Sequence, residues 1–207
     1  MNLNKINQNN YNCEIIAEVA NSHCGDFSKV KKLIKSVSDA GCKNIKFQLF
    51  NPSELVIKKH KDFSLLKSLC FSKNQWFDIT DLCKSFELKI YFDVFDMDSF
   101  ELSLKLNPEG YKIHSTNIDD EFFIKTVSKN TNKLIISTGG SYFTEIESAV
   151  GWSNSVNENI IIFLMSGIQN FPTSLSDTKL CKIFDLKAKF GNISNIRYGL
   201  QDHISGS

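Results

Sequence analysis

Seven short apolar runs, separated by longer polar or amphipathic stretches, constrain this chain's fold more than any other feature of its sequence. They cover residues 14–20, 44–50, 89–95, 110–114, 133–137, 160–165 and 195–200. Each is rich in β-branched or aromatic residues and bounded by Gly, Asn, Asp or Ser, which is the signature of a strand. The stretches between them carry helical periods. Val30, Leu33, Ile34 and Val37 recur at i, i+3, i+4 and i+7, one face of a helix. Ser28 is the expected N-cap of that helix and Gly41 its stop. Ile146, Ala149 and Val150 repeat the pattern, as do Leu180, Ile183 and Phe184, ended by Gly191. The longer segment 53–88 predicts two helices, one of them over 76–86.

Strands alternating with helices pair in parallel, because a parallel neighbour needs a crossover and a helix supplies it. A doubly wound sheet and a (β/α)₈ barrel both satisfy this. The chain has no G-x-G-x-x-G or Walker loop, which argues against a nucleotide-binding sheet. A barrel, in turn, would be short of its eighth strand.

The 207 residues suit a single domain, and a hydrophobic fraction of 42% is enough for a full core. A net charge of +1 gives no electrostatic reason to expect nucleic acid or an anionic membrane as partner. No apolar run is long enough to span a bilayer. Residues 1–12 are polar and Asn-rich, unlike the apolar centre of a secretory signal. None of the six cysteines forms a C-x-x-C pair, so reduced thiols and a cytoplasmic location are expected.

In a parallel barrel, catalytic groups gather at the C-terminal ends of the strands, and the out-of-place polar residues of this chain fall there. Lys46 and Gln48 interrupt the second run at i and i+2, so they share a face. Lys112 interrupts the fourth, with Ser115 just beyond. Ser137-Thr-Gly-Gly140 closes the fifth, Gln201-Asp-His203 the seventh, and Asn21-Ser-His23 with Cys-Gly-Asp26 the first. Each has a plainer reading. Lys46 could snorkel to solvent, and Lys112 could face out with Tyr111 and Ile113 buried. Ser137 could belong to a simple turn, His203 to the surface, and His23 to a loop it caps. Cys24 reads as an inert thiol, His114 as structural, and residues 119–121 as an acidic helix start. A lysine in a buried strand is costly without an anion. Two lysines, two serines and a histidine on one rim would suit a substrate bearing phosphate and carboxylate groups.

Together these segments resemble the sialic acid synthase family. Residues 15–26, I-I-A-E-V-A-N-S-H-C-G-D, resemble its opening I-I-A-E-I-x-N-x-H-x-G-D. Ile45-Lys-Phe-Gln48 resembles its V-K-F-Q strand, Tyr111-Lys-Ile-His-Ser115 its Y-K-I-x-S, and Ile135-Ile-Ser-Thr-Gly139 its I-L-S-T-G. Glu145-Ile-Glu-Ser-Ala-Val150 is similar to its E-I-x-x-A-V helix, Phe171-Pro-Thr173 to its Y-P-T, and Asp202-His203 to part of its S-D-H-T.

The resemblance implies a TIM-type (β/α) barrel over residues 1–207 with seven of its eight strands, a transferase of the N-acetylneuraminate synthase kind. Such an enzyme condenses phosphoenolpyruvate with an open-chain N-acylated aminohexose such as N-acetylmannosamine, giving a nine-carbon keto sugar acid and phosphate. It further implies a divalent metal, Mn²⁺ or Mg²⁺, acting as Lewis acid on the sugar aldehyde. Lys46, Lys112, Ser115 and Ser137 match positions that hold phosphoenolpyruvate. Gln48 matches a substrate-side position, Asn21 and His23 of the opening motif are expected to bind substrate as well, and His203 matches a metal-binding histidine. Lys46, Lys112 and His203 are the expected catalytic set. A family member continues into an eighth strand with a second metal histidine, and often into an antifreeze-like domain that donates an arginine across a homodimer.

The chain departs from the family at four places. Asp93 stands for a phosphate-contacting threonine, Asn117 for an acidic residue, Ser166 for a histidine and Gln201 for a serine. A carboxylate at position 93 should repel phosphate unless a metal or base intervenes. These departures leave two alternatives: a catalytically inactive remnant of the family, or another phosphate-binding barrel such as a Schiff-base aldolase.

Overall fold

The computed structural model describes residues 13–205, so the polar opening, 1–12, lies outside the described residues. Local chemistry sets where the helices begin. Helix α1 (Phe27–Asp39) starts at Asp26 and not at Ser28. The Asp26 carboxylate accepts from the amides of Ser28 and Lys29 at 2.7 and 3.2 Å. Ser28 is thus already one of the open-ended donors that the cap satisfies. Burial lowers Val30 and Ile34 into the core, and Leu33 and Val37 pack beside them. Gly41 follows with φ +76°.

Segment 53–88 forms three helices, not two: α2 (Pro52–Leu55), α3 (Phe63–Leu69) and α4 (Lys73–Ser85). The extra break falls at a lysine-rich stretch where Ile57 is 75% exposed, so no apolar face carries a helix across it. Helix α4 opens on a reciprocal cap between Ser72 and Gln75. Helix α5 (Met97–Leu104) is capped by Asp96 and is too short to show a full apolar period. Helix α6 (Glu121–Lys129) begins at the acidic run, where Asp120 accepts from Phe123 N at 2.9 Å. Helices α7 (Phe143–Val156) and α8 (Lys182–Phe190) complete the set among the described residues.

The strands are β1 (Ile16–Glu18), β2 (Asn44–Leu49), β3 (Lys89–Val94), β4 (Gly110–Ile113), β5 (Lys133–Ser137), β6 (Ile161–Ser166) and β7 (Ile196–Leu200). They form one sheet in the order β1 to β7, parallel at every pairing. A doubly wound sheet reverses its strand order at a switch point. This order never reverses, so the sheet is the curled wall of a (β/α) barrel, with seven strands among the described residues.

Side chains alternate between the two faces of this wall. Ile45, Phe47, Phe92 and Val94 point to the helices. The Trp76 ring of α4 meets Phe47 and Phe92 edge-on, both at 5.8 Å between centroids. Phe47, Phe92, Ile113, Ile136 and Leu164 are fully buried on this side. Each contributes on the order of 1.5–3 kcal/mol of transfer free energy. The same alternation sends a different class of residue to the inner face.

Candidate active site

Residues opposite each other in a parallel ladder share a face, and the register aligns the polar ones. Glu18 lies opposite Lys46, Gln48 opposite Asp93, and Asp93 opposite Lys112. Strands β2 to β4 therefore direct one carboxylate and two ammonium groups into the barrel interior, and the Glu18 side chain of the edge strand β1, 41% exposed, joins them from the rim. Lys46 is 6% exposed, Lys112 3% and Asp93 0%. The lysines thus do not reach solvent, and Lys112 is as buried as its neighbours Tyr111 and Ile113.

These charges compensate one another. Lys112 Nζ donates to Asp93 Oδ2. Lys46 Nζ is in ion-pair contact with Glu18 Oε2 and stands 3.8 Å from Asp93 Oδ2. It has an aligned hydrogen bond to neither, and Asp93 Oδ1 has no partner at all. Burial pulls the Lys46 pKa down to about 7, the nearby Lys112 charge adds to that, and Asp93 opposes it. The base that position 93 requires is present twice over: the carboxylate expected to repel an anion is itself held by the lysines expected to bind one.

Other residues of the rim join this group. Asn21 Nδ2 donates to Gln48 Oε1 at 3.3 Å. His114 rests on the Phe95 ring at 5.1 Å. Burial holds its pKa below the usual histidine value, and the charges of Lys112, Asp93, Lys46 and His203 all act on it. The seventh strand's histidine therefore shares one electrostatic environment with the two lysines. His203 Nδ1 bonds Ile168 O at 2.8 Å, and its ring lies 4.2 Å from that of Phe171. Thr173 N donates to His203 O at 2.8 Å. The Phe-Pro-Thr segment thus fixes the histidine of the Asp-His segment.

Ser137 is fully buried at the end of β5 and donates to Gln201 Oε1, while Gln169 Nε2 donates to Ser137 Oγ at 3.4 Å. Ser115 is half-buried at the start of a short 3₁₀ turn after β4. His23 is turned elsewhere: it is 2% exposed, stacks on Phe71 at 4.6 Å and accepts from Gly25 N at 3.0 Å. It orients its own loop.

The departures acquire physical accounts. Asn117 Nδ2 donates to Phe95 O at 3.3 Å, a bond that an ionised aspartate could not make. Ser166 alternates with Ile162 and Leu164, away from the inner face that Met165 shares with Ser137. Gln201 engages the Ser137 hydroxyl. Sequence reasoning passed over Glu18 as a member of the site and placed Asp93 at the phosphate position without its lysine partners. The available signal was the period-two alternation already applied to Lys46 and Gln48.

His203 Nδ1 faces a carbonyl, which can only accept, so Nδ1 carries a proton and Nε2 is left to face outward. That arrangement suits one metal bond. No group of three or more His, Cys, Asp or Glu side chains placed to hold a metal occurs among the described residues. The described residues do not make a metal centre by themselves.

Comparison with known proteins bears on family and fold. The sequence model of the NeuB family matches residues 33–207. The pseudaminic acid synthase of Helicobacter pylori is 24% identical over 94% of this chain and 60% of its own length. The N,N'-diacetyllegionaminic acid synthase of Legionella pneumophila is 25% identical over 94% of this chain and 58% of its own. The N-acetylneuraminic acid synthetase of Leptospira borgpetersenii, solved with citrate, superimposes with a TM-score of 0.85 at 24% identity, covering 93% of this chain and 66% of that one. This chain spans about six-tenths of the length of the curated relatives it matches.

Proposed function

This chain belongs to the NeuB family, and from that premise we propose that it is the phosphoenolpyruvate-binding barrel of a synthase acting on an N-acylated aminohexose. The observation that carries the reading is the pair of buried lysines, Lys46 and Lys112, converging from β2 and β4 on the barrel interior. Buried ammonium groups at strand ends are what a small substrate with phosphate and carboxylate groups requires.

In this reading the enol carbon of phosphoenolpyruvate forms a carbon–carbon bond to the sugar aldehyde, whose oxygen takes up a proton. Water adds to the resulting cationic carbon, and phosphate leaves, giving a nine-carbon keto sugar acid. Lys46 and Lys112 hold the anionic groups, Ser115 supplies a hydroxyl donor, Ser137 supplies another on turning from Gln201 Oε1, and Asn21 with Gln48 faces the acceptor sugar. His203 offers one nitrogen toward a divalent metal. The described residues by themselves give such a metal too few ligands.

The proposed domain is residues 1–207, acting in a homodimer when part of a longer protein. We place it in the cytoplasm, which the free state of all six cysteines supports. No helix among the described residues is long and apolar enough to cross a membrane.

Calorimetry with phosphoenolpyruvate tests the binding half of the proposal. Saturable binding is expected, and Lys112→Ala should lose it by about tenfold or more, a larger effect than a surface lysine gives. Phosphate release that depends on both phosphoenolpyruvate and an N-acylated aminohexose, with Mn²⁺ or Mg²⁺ supplied, tests the condensation. A folded chain that binds no phosphoenolpyruvate overturns the reading. Borohydride trapping of a substrate on Lys46 or Lys112 would replace it with a Schiff-base aldolase.

A further inference from the structure

Taking the lysine pair as an anion cradle, as the proposed function does, we propose that Asp93 makes the cradle select a protonated phosphoryl group over a fully ionised dianion. Asp93 is 0% exposed, between Lys46 and Lys112. Its Oδ2 is taken up by Lys112, but its Oδ1 has no hydrogen-bond partner, while Lys46 Nζ is in ion-pair contact with Glu18 Oε2. A buried acceptor is therefore left unpaired beside an ammonium that carboxylates alone engage. An ionised carboxylate only accepts, and an ammonium only donates. A ligand that satisfies both must present an oxygen lone pair to Lys46 and an O–H to Asp93. A phosphoryl monoanion carries both on one phosphorus. A dianion carries only acceptors and sets a lone pair against Asp93 Oδ1.

The charges around Asp93 point the same way. Lys46 faces it from β2, with Glu18 of β1 behind, and Lys112 faces it from β4. His114 after β4 and His203 after β7 complete the titratable groups that share this environment. Buried Asp93 offsets one ammonium charge, and the 41% exposed Glu18 side chain offsets part of the other. The cradle thus has little surplus positive charge for a dianion, and selection falls to hydrogen-bond complementarity. Buried polar groups left unpaired are the strongest discriminators a site can use.

Sulfate is the control, because it matches phosphate in size and shape but has no proton to give near neutrality. A protonated Lys46 attracts the sulfate dianion at least as strongly as the phosphate monoanion, so a preference for phosphate at low pH cannot come from Lys46. Calorimetric titrations of the full chain with inorganic phosphate and with sulfate, at about pH 5.5 and about pH 8.5, span the second ionisation of phosphate. We expect phosphate to be preferred by about tenfold or more at the lower pH and the preference to shrink at the higher. In Asp93→Asn, whose amide can donate as well as accept, the ratio should fall toward one at both. The pH series on the unaltered chain decides the matter alone if that variant does not fold. Sulfate binding as tight as phosphate at the lower pH overturns the selectivity and leaves the cradle standing. Binding of neither anion removes the cradle and the proposed function with it.

Discussion

Asp93 and Lys112 lie directly opposite each other across the β3–β4 ladder, and the carboxylate accepts the ammonium's hydrogen bond inside the barrel with neither group reaching solvent. Neither charge would be tolerable there alone. Desolvating one ion costs several kcal/mol, and only a well-placed partner offsets it.

The pairing predicts an asymmetric response to mutation. Lys112→Met leaves Asp93 buried with only Lys46, 3.8 Å away, to answer its charge. A loss of about 3–5 kcal/mol of stability is expected from urea denaturation. The double variant Lys112→Met with Asp93→Leu removes both charges and should recover most of that loss. A single variant as stable as the unaltered chain would mean that Asp93 is already neutral.

Lys46 predicts a pH dependence with a definite sign. Its pKa falls from 10.5 in the unfolded chain to about 7 in the fold. Between these values the unfolded chain holds a proton that the native one has released, so stability rises with pH across that window. The contribution approaches about 1.4 kcal/mol per pH unit and vanishes below the folded value. The unaltered chain, compared with Lys46→Met in denaturation series from neutral to alkaline pH, should show this extra positive slope. Equal slopes would place the ammonium in contact with water.

The fold was legible because its strands are short, β-branched and separately punctuated, so that all seven could be read from their residues. Asp26 displaced Ser28 as a cap because a carboxylate two residues earlier reaches the open-ended amides, a contest of geometry that periodicity does not see. Lys46 and Lys112 were legible as charges misplaced in apolar strands. Asp93 was legible as a carboxylate at the phosphate position but not as the lysines' partner, since that depends on which strands flank β3, and strand order is absent from the local pattern. His23 stands in a motif beside Asn21, yet only Asn21 reaches Gln48; the turn that carries them points His23 at Phe71.

That turn predicts a strained substitution. Gly25 has φ +76°, and a Cβ built on it would stand 2.0 Å from the carbonyl oxygen of Ser68. Gly25→Ala must both adopt a left-handed conformation and push backbone aside. A cost of about 1–3 kcal/mol or more is expected, seen as a lowered melting temperature. Gly140→Ala is the comparison: its φ is +80°, but nothing lies within 4 Å of the added carbon. It should cost clearly less. Equal losses would mean that the Ser68 backbone yields freely.

His203 carries the last prediction, which concerns its tautomer. Its Nδ1 lies 2.8 Å from Ile168 O, and the Phe171 ring holds the imidazole in that orientation. A carbonyl offers lone pairs only, so the neutral ring must keep its proton on Nδ1 and leave a lone pair on Nε2. Nitrogen-15 correlation spectra of the ring at mildly alkaline pH should therefore show the Nδ1–H form predominating. Added Mn²⁺ should broaden the His203 ring signals first, through Nε2, and His203→Asn should abolish that effect. Because no third ligand accompanies it among the described residues, the broadening should rise with Mn²⁺ without saturating at micromolar concentration. Saturation there would require further ligands from outside residues 13–205 or from a second chain. An Nε2–H tautomer would break the Ile168 contact and turn the lone pair away from the metal-facing side, removing His203 from any such role.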